Sequence, residues 1–366
     1  MTTDTYSFEE YNTFDGLTKT CFNTWRDEYD AEYSEDKRVL LKVPMGTMIY
    51  DIRQGTEKIG DRAFCLCRSL FHLSIPESVT IIGKEAFAWC SSLREIKLPN
   101  ALTTIGDEAF GRCESLKVIH IPDSVCSIGQ KVFSGCTCRV VAKSPYFITE
   151  KTTLFSADKK RLIIFTGQDS SYHIPNGVTT IDDGAFRYSK SLKEIHIPTS
   201  VTTIGDGAFE GCGDLKEISI PQSVELIRGN PFINCRCKII ADSPYFISNE
   251  HILFTADEKK VIAYTGEVRS VDIPISVTTI GEKSFYVSSF IHDLYITPFV
   301  QTIQSKAFYG CMLRRVFFLN SVANIAPDSF SDCRLLEQIF IPQGTFDQFA
   351  EQLPDYANLL IEKDYN

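Results

Sequence analysis

The chain has 366 residues, 43% of them hydrophobic and 23% charged, with a formal net charge of −10. That is a globular composition with ample apolar residues for a core, and its acidic balance weighs against nucleic-acid binding. No window approaches the ~18 consecutive apolar residues of a membrane-spanning helix, so no membrane insertion is expected.

The first stretch, "MTTDTYSFEEYNTFDG", has neither a basic n-region nor an apolar h-region. It does not read as a secretory signal, which makes a cytoplasmic location the expectation unless a leader has been removed. Residues 1–31 are acidic and aromatic and are expected to cap the N-terminal end.

From there the chain repeats. Phe recurs at 64, 87, 110, 133, 186, 209, 232, 285, 308 and 330, in steps of 23 residues, one step of 22 and two of 53. Ten repeats thus fall into blocks of four, three and three. A clear copy is "LREIKLPNALTTIGDEAFGRC", Leu93 to Cys113. Its L-x-x-I-x-I-P opening alternates in period two, which predicts a strand ended by proline. Its G-x-x-A-F-x-x-C close has near-helical spacing, which predicts one or two helical turns held by packing. Gly opens that turn at 60, 83, 106, 129, 205 and 281, and the expected reason is a backbone position with positive φ. One such unit cannot bury its apolar face, but stacked units can. The expected fold is therefore α/β: a curved solenoid of about ten rungs, with a parallel sheet on the concave face and short helical turns on the convex face.

The two long steps hold "SPYFITEKTTLFSADKKRLIIFTG" (144–167) and "SPYFISNEHILFTADEKKVIAYTG" (243–266). Each reads as a β-hairpin with Asp and Lys at its tip. A third copy, "EYSEDKRVLLKVPMG" (32–46), places Asp36 28 residues before Phe64, the offset that Asp158 keeps from Phe186 and Asp257 from Phe285. The solenoid is expected over 32–342. In 343–366, Thr345 with Gln348 fits a capping box. Phe346, Phe349, Ala350 and Leu353 follow at helical spacing before Pro354. A helix laid over the last rung is expected there.

The unit I-P-x-S-V-T-x-I-G-x-x-A-F-x-x-C-x-S-L-x-x-I-x, clearest as "IPESVTIIGKEAFAWCSSLREIK" (75–97), resembles the BspA-type leucine-rich repeat. The resemblance covers about residues 55–345 and extends to the hairpin islands. It implies a solenoid of the leucine-rich-repeat class that binds proteins or other ligands without catalysis. Several members are bacterial cell-surface adhesins, so a surface adhesin or glycan binder is the second functional expectation. This chain departs at Ser189 and Ser288 in the Cys column, at Pro231 in the Ala column, and in an irregular register around 287–320.

Three sets of residues are candidates for function. The Cys column (67, 90, 113, 136, 212, 235, 311 and 333) and the C-x-C pairs 65/67, 136/138 and 235/237 raise thiol or metal chemistry. One Cys per rung is spread along a line rather than gathered, which favours packing by buried free cysteines. On the sheet face, the residues flanking the second Ile of each strand point outward. They include His72, Glu95, Lys97, His120, His173, Glu194, His196 and Glu217, followed by Gln338 and Phe340. This is the expected binding face, its partner an unidentified protein or a host or cell-surface macromolecule. Finally, His173 and His196 share a column beside Glu194, where a zinc ion is weighed against an accident of the repeat, the stronger reading. No phosphate-binding loop, nucleophile elbow or zinc-protease motif is present. The expectation is a non-enzymatic monomer with no cofactor and no bound metal.

Overall fold

A computed structural model describes residues 24–365. Residues 1–23, most of the expected N-terminal cap, lie outside the described residues. Most rungs contribute a long strand, a proline corner, a two-residue short strand and a turn-rich segment carrying the repeated Phe; the corners at 52–54 and 319–321 have no proline. The long strands pair in parallel, as Val118–His120 does with Arg139–Val141 and Ser171–His173 with Glu194–His196. The short strands, each ending in Ile and half of them Thr-Ile, form a second parallel ladder: Thr104–Ile105 lies between Ile81–Ile82 and Ser127–Ile128. In these Thr-Thr-Ile segments the first Thr hydroxyl donates to the preceding rung, Thr103 to the Thr80 carbonyl at 3.0 Å and Thr202 to Thr179 at 3.3 Å. No helix among the described residues is long and apolar enough to cross a membrane.

The segment expected to be helical is a chain of overlapping turns. In the first rung, Ala63, Cys65 and Cys67 donate back three residues, to the carbonyls of Gly60, Arg62 and Phe64. The amides between them, Arg62, Phe64 and Leu66, donate instead to Lys84, Ala86 and Ala88 of the next rung at 2.7–2.9 Å. Alternate amides thus serve the turn and the stack, a pattern no α-helix can supply. Its backbone requirement is positive φ two residues before and after the Phe, seen at Arg62 (59°), Leu66 (65°), Glu85 (53°) and Trp89 (65°). The glycine column has another purpose than the one expected. Gly106 does not adopt positive φ; a Cβ there would meet Gly83 C and Lys84 N at 2.7 Å. Backbone passes directly against backbone, which only glycine permits.

Each island is a three-stranded antiparallel unit rather than a two-stranded hairpin. Phe147–Glu150 precedes the expected pair, Thr153–Ser156 and Arg161–Phe165. The extra strand was hidden because its two-residue turn, Lys151-Thr152, has no glycine, although Lys151 takes φ 54°. At the three island tips Asp36, Asp158 and Asp257 each accept from a Ser or Thr hydroxyl at 2.6 Å. That bond, helped by a backbone amide, holds all three carboxyls below their ordinary pKa. The last island strand hydrogen-bonds to the first short strand of its block, so each short-strand ladder is one sheet continuous with its island. Each also has its own buried core, containing Phe64 to Phe133 in the first, Phe186 to Phe232 in the second and Phe285 to Phe330 in the third.

Across the first junction the turn face is clasped by charge and rings. Arg112 lies 3.8 Å from the Tyr188 ring centroid and 5.2 Å from that of Trp89. Gly135 and Gly211 leave the room this needs: an added Cβ would meet Arg112 Cδ at 2.8 Å and Tyr188 Cδ1 at 2.4 Å. Arg187 pairs with Glu108 at 3.1 Å and Glu210 at 2.8 Å. The second junction uses Asn230, whose amide donates to the Lys283 and Ser284 carbonyls. Its oxygen accepts from the Phe232 amide at 2.9 Å, an amide that elsewhere in a block bonds to the next rung.

The C-terminal cap contains the expected helix, Phe346–Gln352, with Phe349 and Leu353 buried. The expected capping box is not formed. The Thr345 hydroxyl donates to the Pro342 carbonyl, and the Gln348 amide reaches across to Val322. Gln352 donates to the same carbonyl and accepts from the Ile325 amide at 2.6 Å, so two glutamines close the last short strand. Pro354 ends the helix and begins a 3-10 turn. A further strand, Leu360–Lys363, then pairs in parallel with Gln338–Pro342.

Candidate binding surface

Period-two alternation decides which side chains of the long strands face outward. In Glu217–Ile220 the burial alternates, with Ile218 and Ile220 inside and Glu217 and Ser219 exposed. By the same rule His72, Glu95, Lys97, His120, His173, Glu194, His196 and Glu217 are all exposed on this face. They form two rows along the stack rather than one pocket. Tyr172, next to His173 in the chain, points inward, against Phe165 and Phe186.

His173 and His196 are in direct register, their ring centroids 5.6 Å apart. Glu194, however, is opposite Ser171 in the other row. No group of three His, Cys, Asp or Glu that could hold a metal ion occurs among the described residues.

The same face carries an aromatic row that sequence reading found only at its end. Tyr295 and Phe317 stack at 4.5 Å and 5°, and Phe317 and Phe340 at 4.8 Å and 9°. Buried neighbours on both sides of each ring fix them as outward: Leu294 and Ile296, Val316 and Phe318, Ile339 and Ile341. Beside them Arg315 makes two 2.8 Å hydrogen bonds to Asp293. The C-terminal strand extends the row, with Ile361 opposite Phe340 and the Lys363 ammonium 5.5 Å from the Phe340 centroid. A signal for Tyr295 and Phe317 was present: "DLYI", "RVFF" and "QIFI" share one in-out pattern at steps of 22 and 23. Loss of the proline after "RVFF" concealed it.

The Cys column does structural work. The thiol of Cys90 donates to the Phe64 carbonyl one rung back at 3.2 Å; Cys113 does so to Phe87, Cys212 to Phe186 and Cys311 to Phe285, at 3.0–3.2 Å. The two rungs with Ser in this column, at 189 and 288, are the first after an island, where no preceding rung offers that carbonyl. Burial pushes these thiols up, Cys67 and Cys333 to about 12 and the less buried Cys65 to about 11. Neutral buried thiols are poor nucleophiles. An alkylating agent at neutral pH should therefore label exposed Cys126 well ahead of the column. Equal labelling of Cys90 or Cys113, read by peptide mass, would refute this. The linkage has a definite sign. The folded pKa is raised, so the thiols contribute full stability below the unfolded value of about 8.5 and lose it as pH climbs toward the folded one. The urea midpoint should fall steeply between about pH 9 and 12, and a midpoint unchanged over that range would contradict it.

A family model described as the BspA type leucine rich repeat region matches the chain in six copies, over residues 50–151, 165–241 and 258–353. The two gaps fall in the islands. Among curated proteins, none matches. The fold is similar to that of a leucine rich cell surface protein from Faecalibacterium prausnitzii, with 25% identity, 89% of this chain and 88% of that one covered, and a TM-score of 0.44. A leucine-rich repeat protein from Bacteroides ovatus gives 20%, 96%, 100% and 0.39, and the pneumococcal vaccine antigen PcpA 20%, 91%, 80% and 0.49.

Proposed function

Because the chain belongs to the BspA-type leucine-rich repeat family, we propose that it is a non-enzymatic binding protein that recognises another macromolecule through the outward face of its long strands. The observation that carries this reading is the pair of outward-directed rows on that face, exposed in the first two blocks and half-buried by ring stacking in the third. They run from the His, Glu and Lys positions of the first two blocks to the stacked rings of the third. Side chains held at fixed spacing on a rigid ladder form a preorganised surface, on which contacts cost little ordering entropy. Supporting it further, the matched family model describes a repeat region rather than a catalytic domain. The reading takes 32–342 as the binding solenoid and 343–366 as its cap.

The test compares three forms of the full chain as bait in extracts of the source organism: wild type, Glu95→Lys/Glu194→Lys/Glu217→Lys, and a control with Lys58→Glu and Thr104→Lys on the short-strand face. A partner retained by wild type and control should be reduced at least tenfold by the triple variant. Equal recovery by all three would remove the face assignment.

A surface adhesin or glycan binder is the second reading, supported by the adhesin members of the family. Half-buried Tyr295 and Phe340, stacked on either side of a Phe317 that is only 8% exposed, suit contact with a sugar or a protein. The cytoplasmic expectation gains no support from the family. Protease shaving of intact cells separates the two locations, since only a surface protein would be lost.

A further inference from the structure

The clasp at the first junction encloses a cavity of about 30 Å³, lined in part by Trp89, Glu108, Arg112, Ser134, Arg187 and Tyr188. Ser134 is 2% exposed and Arg112 9%. Three buried polar atoms of this lining, Arg112 Nη2, Ser134 Oγ and Arg187 Nε, have no hydrogen-bond partner among the described residues. Buried polar atoms are normally satisfied, so three around one small space indicate a guest.

The charges suggest which guest. The carboxylates of the lining are already engaged: Glu85 takes Arg62 through both oxygens at 2.9 and 3.2 Å, and Glu108 takes Arg187 at 3.1 Å. Arg112 differs. Its ion pair is to Glu114 at 3.8 Å, a side chain 57% exposed. Rings cover its faces, so an acceptor can approach only along its edge. A buried guanidinium without an in-plane acceptor is costly. Both orphan nitrogens can only donate, and the serine hydroxyl can donate as well. The volume admits one ion or water and no organic ligand.

We propose that this cavity binds a single halide-sized anion, chloride in ordinary media, held by Arg112 Nη2, Ser134 Oγ and Arg187 Nε. One monatomic anion accepts from all three and supplies the close, in-plane acceptor that exposed Glu114 at 3.8 Å does not. It would also join the first block to the second, since Arg112 and Ser134 belong to one and Arg187 to the other.

Bromide serves as the probe. Crystals of the full chain soaked in sodium bromide should show an anomalous peak in the cavity within hydrogen-bond reach of the three atoms. Thermal unfolding should have a higher midpoint in sodium bromide than in sodium gluconate of equal ionic strength. Ser134→Ala should weaken the apparent bromide affinity about tenfold, and Arg112→Gln should abolish the bromide response. A cavity holding water only, or a bromide response the same in wild type and both variants, overturns the proposal. Ser134→Ala removes a hydroxyl with no protein partner, so the test stands even if Arg112→Gln fails to fold.

Discussion

Phe110→Ala should lower the unfolding free energy by about 3–5 kcal/mol, the range for a large aromatic removed from a packed core. The ring is fully buried and stacks on Phe87 at 5.3 Å and on Phe133 at 5.6 Å, within 9° of parallel on both sides. Truncation leaves a cavity and strips two stacking contacts at once. The rungs above and below cannot collapse into it, because their separation is set by hydrogen-bonded ladders on several sides. Urea denaturation of the full chain reads the effect. A loss below about 1 kcal/mol would show that the stack relaxes, against the close packing argued here.

Arg187→Met should cost a comparable amount, about 3–5 kcal/mol, by removing the guanidinium that pairs with a buried carboxylate. Burial opposes the Arg187 charge, but adjacent Glu210, then Tyr188 and Glu108, outweigh it and raise the guanidinium well above its ordinary pKa. The Glu210 side chain is only 5% exposed, and it loses the 2.8 Å pair to Arg187 while keeping the Tyr188 hydroxyl at 3.1 Å. The double variant Arg187→Met/Glu210→Gln should recover much of the loss, because the buried carboxylate that Arg187 paired is gone as well. If the single and double variants were equally unstable by denaturation, lost packing rather than charge would be responsible.

Much of this architecture was legible in one chain because a solenoid writes its period into the sequence. The Phe at 64, 87 and 110 and the Asp at 36, 158 and 257 locate rungs and islands by counting alone. What counting could not reveal was backbone conformation. G-x-x-A-F-x-x-C has the apolar spacing of a helix, yet each alternate amide is claimed by the next rung, a tertiary demand that overrides the local pattern. The glycine column was found for one reason and is needed for another, the backbone contact at Gly83 and Gly106. On the outward face of the long strands, alternation placed Glu95, His196 and Glu217 directly. It missed Tyr295 and Phe317, where one step is a residue short and the proline marker is gone. Trp89, Arg112 and Tyr188 all stand two places after the repeated Phe, so counting aligned the clasp; it could not show that the rungs on either side of the 53-residue step meet there.

The turn-face ladder has a direction. Within a block every rung offers amides forward and carbonyls backward, so any internal boundary presents the same two complementary surfaces. A repeat duplicated inside a block would therefore meet matching neighbours on both sides, and the solenoid can lengthen there by whole units without redesign. Block ends are different. Asn230 and the glutamines at 348 and 352 each satisfy one particular stranded group, and an extra unit placed beside them would find its bonding sites already taken. Growth in length is thus open in the middle of each block and closed at its seams. A gene that gains or loses copies by unequal recombination would be tolerated in the first region and penalised in the second.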